Sequence, residues 1–90
     1  MQEVYLNGRD YENPEELHEF LAKELEFPEY YGGNLSALYD MLTELSDDTR
    51  IVVALSGVED DSMLDALERI VEVMTDAADE NSYLEVECIS

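Results

Sequence analysis

The chain alternates between two hydrophobic rhythms. Val4, Tyr5 and Leu6 open it as a short β-branched and aromatic run that ends at Asn7-Gly8, a turn signal. Leu17, Phe20, Leu21 and Leu25 then recur at three- and four-residue spacing. That period predicts a helix with one buried face, capped by Asn13, entered by Pro14 and stopped by Pro28. Glu16 stands where a capping-box acid belongs. After Gly32-Gly33, Asn34 caps a second helix over roughly 34–45, with Leu35, Leu38, Met41, Leu42 and Leu45 as its apolar stripe. Arg50 to Leu55, "RIVVAL", is a near-continuous apolar run and predicts a central strand covered on both faces. Asp60-Asp61-Ser62 offers caps for a long helix over about 62–79, with Leu64, Leu67, Val71, Met74 and Ala78 pointing inward. From Tyr83 to Ile89, Leu84, Val86 and Cys88 alternate with Glu85 and Glu87, the pattern of a strand with one wetter face.

The order is therefore strand, helix, helix, strand, helix, strand. Strands separated by helices favour parallel pairing through right-handed crossovers. The expected fold is α/β, a three-stranded parallel sheet packed by helices, in a single domain over 1–90. At 90 residues there is room for one modest core.

Charge changes the picture more than size does. Twenty-four Asp and Glu face only Arg9, Lys23, Arg50 and Arg69, for a formal charge of -20. Such a surface repels nucleic acid and anionic membranes, so no direct binding to either is expected. Basic proteins are attracted to it. A lysine-poor acidic surface also suits a high-salt cytoplasm whatever the function. One cysteine, Cys88, excludes an internal disulfide and fits a reducing compartment; its alternation with apolar neighbours predicts a core position. The opening residues have neither a basic start nor a long apolar run, so a cytoplasmic protein without signal peptide or membrane span is expected.

Catalytic chemistry finds few candidates. The one histidine, His18, sits beside Leu17 and Leu21, which predicts an edge-of-core or surface ring. One Cys and one His do not build a zinc site, and Glu59-Asp60-Asp61 lacks the spacing of a calcium loop. No glycine-rich phosphate loop is present. No enzyme activity, metal or cofactor is expected.

What remains is a helix face. Ser36, Tyr39, Asp40 and Thr43 fall at i, i+3, i+4 and i+7, opposite the apolar stripe. Tyr30, Tyr31 and Gly32 lead into it. Aromatic rings around one central carboxylate are the mixture that interface hot spots favour. The alternative is a solvated face with Tyr31 tucked into the core. On the third helix, Glu68, Glu72, Asp76 and Glu80 are spaced by four, each like-charge pair costing about 0.2–0.5 kcal/mol. A basic partner would neutralise that ridge.

The segment "ELEFPEYYGGNLSALYDMLTEL" resembles the signature of the barstar family, cytoplasmic inhibitors of barnase-type secreted ribonucleases. The likeness includes Pro28-Glu29-Tyr30-Tyr31-Gly32, Asn34-Leu35, Ala37-Leu38, Asp40 and Leu42-Thr43, and the order of elements agrees along essentially the whole chain. The resemblance implies a one-to-one inhibitor of a basic secreted ribonuclease or toxin nuclease. It places Tyr30 on the active-site rim, Asp40 in the phosphate position, Thr43 at the end of the same face, and Asp76 and Glu80 as contacts from the third helix. The surround differs: Tyr39 replaces a tryptophan, Ser36 an aspartate, Glu44-Leu45 a Gly-Trp pair, and Asp76 is shorter than the family's glutamate. Two further readings stand beside inhibition. One is an acidic adaptor or nucleic-acid mimic for a basic protein without nuclease activity. The other is an acidic metal-binding or halophilic protein whose charge serves solvation.

Overall fold

The computed structural model describes residues 2–28 and 31–89. Three strands, β1 (Gln2–Asn7), β2 (Thr49–Ala54) and β3 (Leu84–Ile89), form one sheet in the order β1-β2-β3, all parallel. Helices α1 (Pro14–Glu24) and α2 (Leu35–Thr43) connect β1 to β2, and α3 (Asp61–Glu80) connects β2 to β3. A short 3-10 turn, Gly8–Asp10, follows β1 where Asn7-Gly8 predicts one. The fold is α/β, a three-stranded parallel sheet packed by helices, as expected from the order of elements.

Each helix begins where a cap can satisfy its first free N–H groups. Asn13 accepts from Glu16 N at 3.0 Å, and Glu16 reaches back to accept from Glu12 N at 2.7 Å. Asn34 accepts from Ala37 N at 2.8 Å. Asp60 accepts from Ser62 N at 2.8 Å and starts α3 one residue before the predicted position. The end of α1 differs from expectation. The helix stops before Pro28 can act, because Glu26 adopts φ 55° and Phe27 N closes back onto Ala22 O at 2.9 Å. That is a left-handed helix terminus built on a glutamate.

Register places Val4, Ile51 and Val86 side by side, then Leu6, Val53 and Cys88. Val4, Leu6, Ile51 and Val53 join Leu17, Leu21, Leu38, Leu42, Leu67, Ile70 and Met74 in one core, so the helices cover this face. The opposite face is not covered, which corrects the reading of β2. Val52 is buried but lies outside the core cluster, between Tyr5 at 59% exposure and β3. Its shelter comes from side chains of the neighbouring strands. Beside it Arg50 spans the sheet, pairing with Glu3 of β1 at 3.4 Å and Glu87 of β3 at 2.7 Å.

Two further expectations are corrected. Cys88 is exposed and not core. Burial fades along the edge strand β3, from buried Leu84 through half-buried Val86, as helical cover runs out. On α3 the buried stripe is Met63, Leu67, Ile70, Met74 and Ala77. Leu64, Val71 and Ala78 are half-buried at its flank. Both stripes have three- and four-residue spacing, so periodicity alone does not separate them. α3 packs against α2, β3 and α1, and Val73 lines a groove shared with α2.

Candidate functional site

The site grows from α2. Gly33, at φ 66°, turns the chain into the left-handed region that glycine adopts freely, and Asn34 then caps the helix. Leu38 and Leu42 face the core and are fully buried. Ser36 and Asp40 are exposed, while Tyr39 and Thr43 are half-buried. The Thr43 hydroxyl donates to the Asp40 carbonyl at 3.0 Å, which turns it along its own helix.

Leu35, Ser36, Tyr39 and Asp40 meet Val73 of α3 around a shallow groove of about 270 Å³. Its walls are largely apolar, with the Asp40 carboxylate among them. Val73, Asp76 and Glu80 share a flank of α3 by their spacing, and both acids are exposed. The described ion pairs engage Glu3, Glu87 and Asp65. Among the described residues none involves Asp40, Asp76 or Glu80. These acids therefore present their charge to solvent, on a helix pair whose only internal ion pair is Arg69–Asp65 at 3.0 Å.

The loop residues sit differently. Tyr30 lies outside the described residues. Tyr31 is half-buried against Phe27, with ring centroids 4.9 Å apart, and its hydroxyl is 2.6 Å from His18 Nδ1. Burial pushes its phenol up to about 12 and holds the His18 imidazole below its ordinary value. Tyr31, Gly32 and Gly33 line a second, larger cavity of about 600 Å³ against α1, with His18, Glu19 and Phe27. The α2 face thus gathers Ser36, Tyr39 and Asp40 at one groove, whereas Tyr31 turns toward α1.

Three contributors escape the sequence reading. Val73 is one apolar residue among many on α3. His18 and Tyr31 meet only in space. Asn81, just past the end of α3, is buried and donates its side-chain amide to Leu42 O and Leu45 O, both at 2.9 Å. An asparagine immediately after a long amphipathic helix is the signal in the sequence, and its burial is what requires hydrogen-bond partners. Among the described residues no helix is long and apolar enough to cross a membrane.

A family model described as Barstar (barnase inhibitor) matches residues 1–88. A protein of Bacillus subtilis (strain 168) named "Putative ribonuclease inhibitor YrdF" is 54% identical over 43 residues. That match takes in 48% of this chain and 47% of the relative, so it spans about half the relative's length.

Proposed function

The chain belongs to the barstar family, and from that premise we propose that it inhibits a basic secreted or toxin ribonuclease by placing the α2 face in its phosphate-binding cleft. The observation that carries the reading is the exposed Asp40 carboxylate, without an ion-pair partner among the described residues, set among Leu35, Tyr39 and Val73. A ribonuclease holds substrate phosphate with Arg, Lys and His. A carboxylate fixed on a helix meets the same cations without offering a bond to cleave. Apolar walls beside it exclude water, which strengthens the charge–charge contact. Asp76 and Glu80 extend the negative surface along α3 toward the rim of the cleft, with Ser36, Tyr39 and Thr43 supplying the contacts between. Binding one-to-one blocks substrate with no chemistry by the inhibitor, and the cytoplasm is where such protection acts.

The test is inhibition of a panel of secreted basic microbial ribonucleases, barnase among them, by the wild type and by Asp40→Ala and Asp65→Ala. Inhibition lost by Asp40→Ala and kept by Asp65→Ala is expected. Equal affinities for the two variants would remove the α2 site. Wild-type capture of a basic protein lacking nuclease activity, with no inhibition across the panel, would favour an adaptor instead.

A further inference from the structure

Given the inhibitor reading of α2, on which this inference rests, the chain entering that helix needs a fixed path. α1 ends at Glu24 and α2 begins at Leu35. The turn between them contains Gly32 and Gly33, which leave its backbone permissive. Tyr31 N bonds only locally, to Pro28 O at 3.0 Å. Beside the Asn34 cap on α2, one side-chain hydrogen bond among the described residues ties this connection back to α1. It is the 2.6 Å contact between Tyr31 and His18 Nδ1. His18 is 8% exposed and its ring lies 5.9 Å from that of Tyr31.

The tautomer of the ring gives the bond its direction. With the imidazole proton on Nε2, the Tyr31 phenol donates O–H to Nδ1. A second proton on the ring occupies Nδ1. The phenol must then turn round and accept, and a cation must sit in a nearly closed site. Around the same cavity α1 supplies Glu15, Glu19 and Lys23, and the connecting segment supplies Tyr31 as its titratable group. Burial opposes the imidazolium and holds the His18 pKa below its ordinary value.

We propose that His18 is a positioning residue for the partner-binding helix: through Tyr31 it latches the entering segment to α1, and protonation of the imidazole loosens that latch. Asp40 then sits on a helix whose entry is held from outside its own sequence neighbourhood.

Amide hydrogen exchange in the free protein tests the latch without any ribonuclease. In Tyr31→Phe, which deletes only the hydroxyl, the amides of residues 31–34 are expected to exchange roughly three- to ten-fold faster while those of β2 are unchanged. His18→Leu should do the same, and His18→Asn, which keeps an acceptor near the Nδ1 position, should restore protection. Unchanged exchange at 31–34 in Tyr31→Phe overturns the proposal, even if His18→Leu fails to fold. The second arm measures barnase inhibition at about pH 7.5 and about pH 5, where an ordinary histidine changes charge. The advantage of wild type over Tyr31→Phe should shrink toward one at the lower pH; an advantage constant with pH overturns the protonation step. If wild type inhibits no ribonuclease yet shows the exchange pattern, the function assigned to α2 fails and the latch stands.

Discussion

Asn81 Nδ2 donates to the Leu42 carbonyl across 39 residues of sequence, at 2.9 Å. The same nitrogen reaches Leu45 O at 2.9 Å, and Asn81 Oδ1 accepts from Tyr83 N at 3.0 Å. One buried amide therefore closes α2, ends α3 and starts the approach to β3. α2 carries no basic residue in its last turn; Leu42 O accepts a long backbone bond from Leu45 N at 3.4 Å, and the Asn81 amide adds a shorter one there and a bond to Leu45 O just beyond the helix. Asn81→Leu keeps the approximate volume and removes every bond. It should lower unfolding free energy by about 1–3 kcal/mol, since Leu42 O keeps its bond from Leu45 N while Leu45 O and Tyr83 N lose their Asn81 partner. Urea melts followed by circular dichroism measure this. A loss no larger than that of an exposed control such as Ser82→Ala would show that water replaces the amide.

Under the proposed inhibition, Asp40 and the α3 ridge should make different contributions. Truncating one member of a buried ion pair costs about 3–5 kcal/mol, which corresponds to roughly a hundred- to several-thousand-fold in affinity. Asp40→Ala should fall in that range, mainly through faster dissociation. Glu68→Gln with Glu72→Gln should instead slow association several-fold, and only at low ionic strength. Stopped-flow association at low and high salt separates the two. An association rate independent of salt would dismiss steering by the acidic surface.

Stability should carry the signature of His18. Burial lowers its folded pKa below the ordinary 6.5, so the folded protein favours the neutral ring. The unfolded chain then takes up the proton first as pH falls. The contribution is complete above about 6.5 and is lost as pH drops from there through the lower folded value. Relief of repulsion among the carboxylates acts in the opposite sense, mostly nearer pH 4–5. Subtracting the stability curve of His18→Gln from that of wild type isolates the histidine. A difference curve that rises as pH falls would contradict the sign.

Glu26 is the described residue other than glycine with positive φ. A side chain in that region costs about 1–2 kcal/mol, which glycine avoids, although glycine also gains entropy in the unfolded chain. Glu26→Gly should raise stability by about 0.5–1 kcal/mol and remove one negative charge. The midpoint of urea unfolding reads the change. A lower midpoint would mean that the glutamate side chain contributes more at this helix end than its backbone costs.

Local chemistry made most of the architecture legible. Asn13, Asn34 and Asp60 are caps because of what a short polar side chain can reach, and they are found capping. The strands followed from β-branched runs, and their parallel order from the helices between them. What depended on distant partners was not legible. The exposure of Cys88 and the open side of Val52 depend on where helical cover ends, and alternation along one strand does not encode that. Two apolar stripes on α3 were equally periodic, and packing against the other elements buries one of them. The spacing of Ser36, Tyr39 and Asp40 on one face could be read directly. Val73, which completes the groove, and His18, which meets Tyr31 thirteen residues away, belong to contacts between elements.

The open end of β3 has a practical corollary. Cys88 is an accessible thiol, the single one in the chain, and it lines neither the groove beside Asp40 nor the cavity under Tyr31. A maleimide fluorophore attached there reports on tumbling and complex formation from a spot away from the helices proposed to bind the partner. The same accessibility lets two molecules couple through a sulfur–sulfur bridge in air, so preparations kept without reductant will contain a covalent dimer.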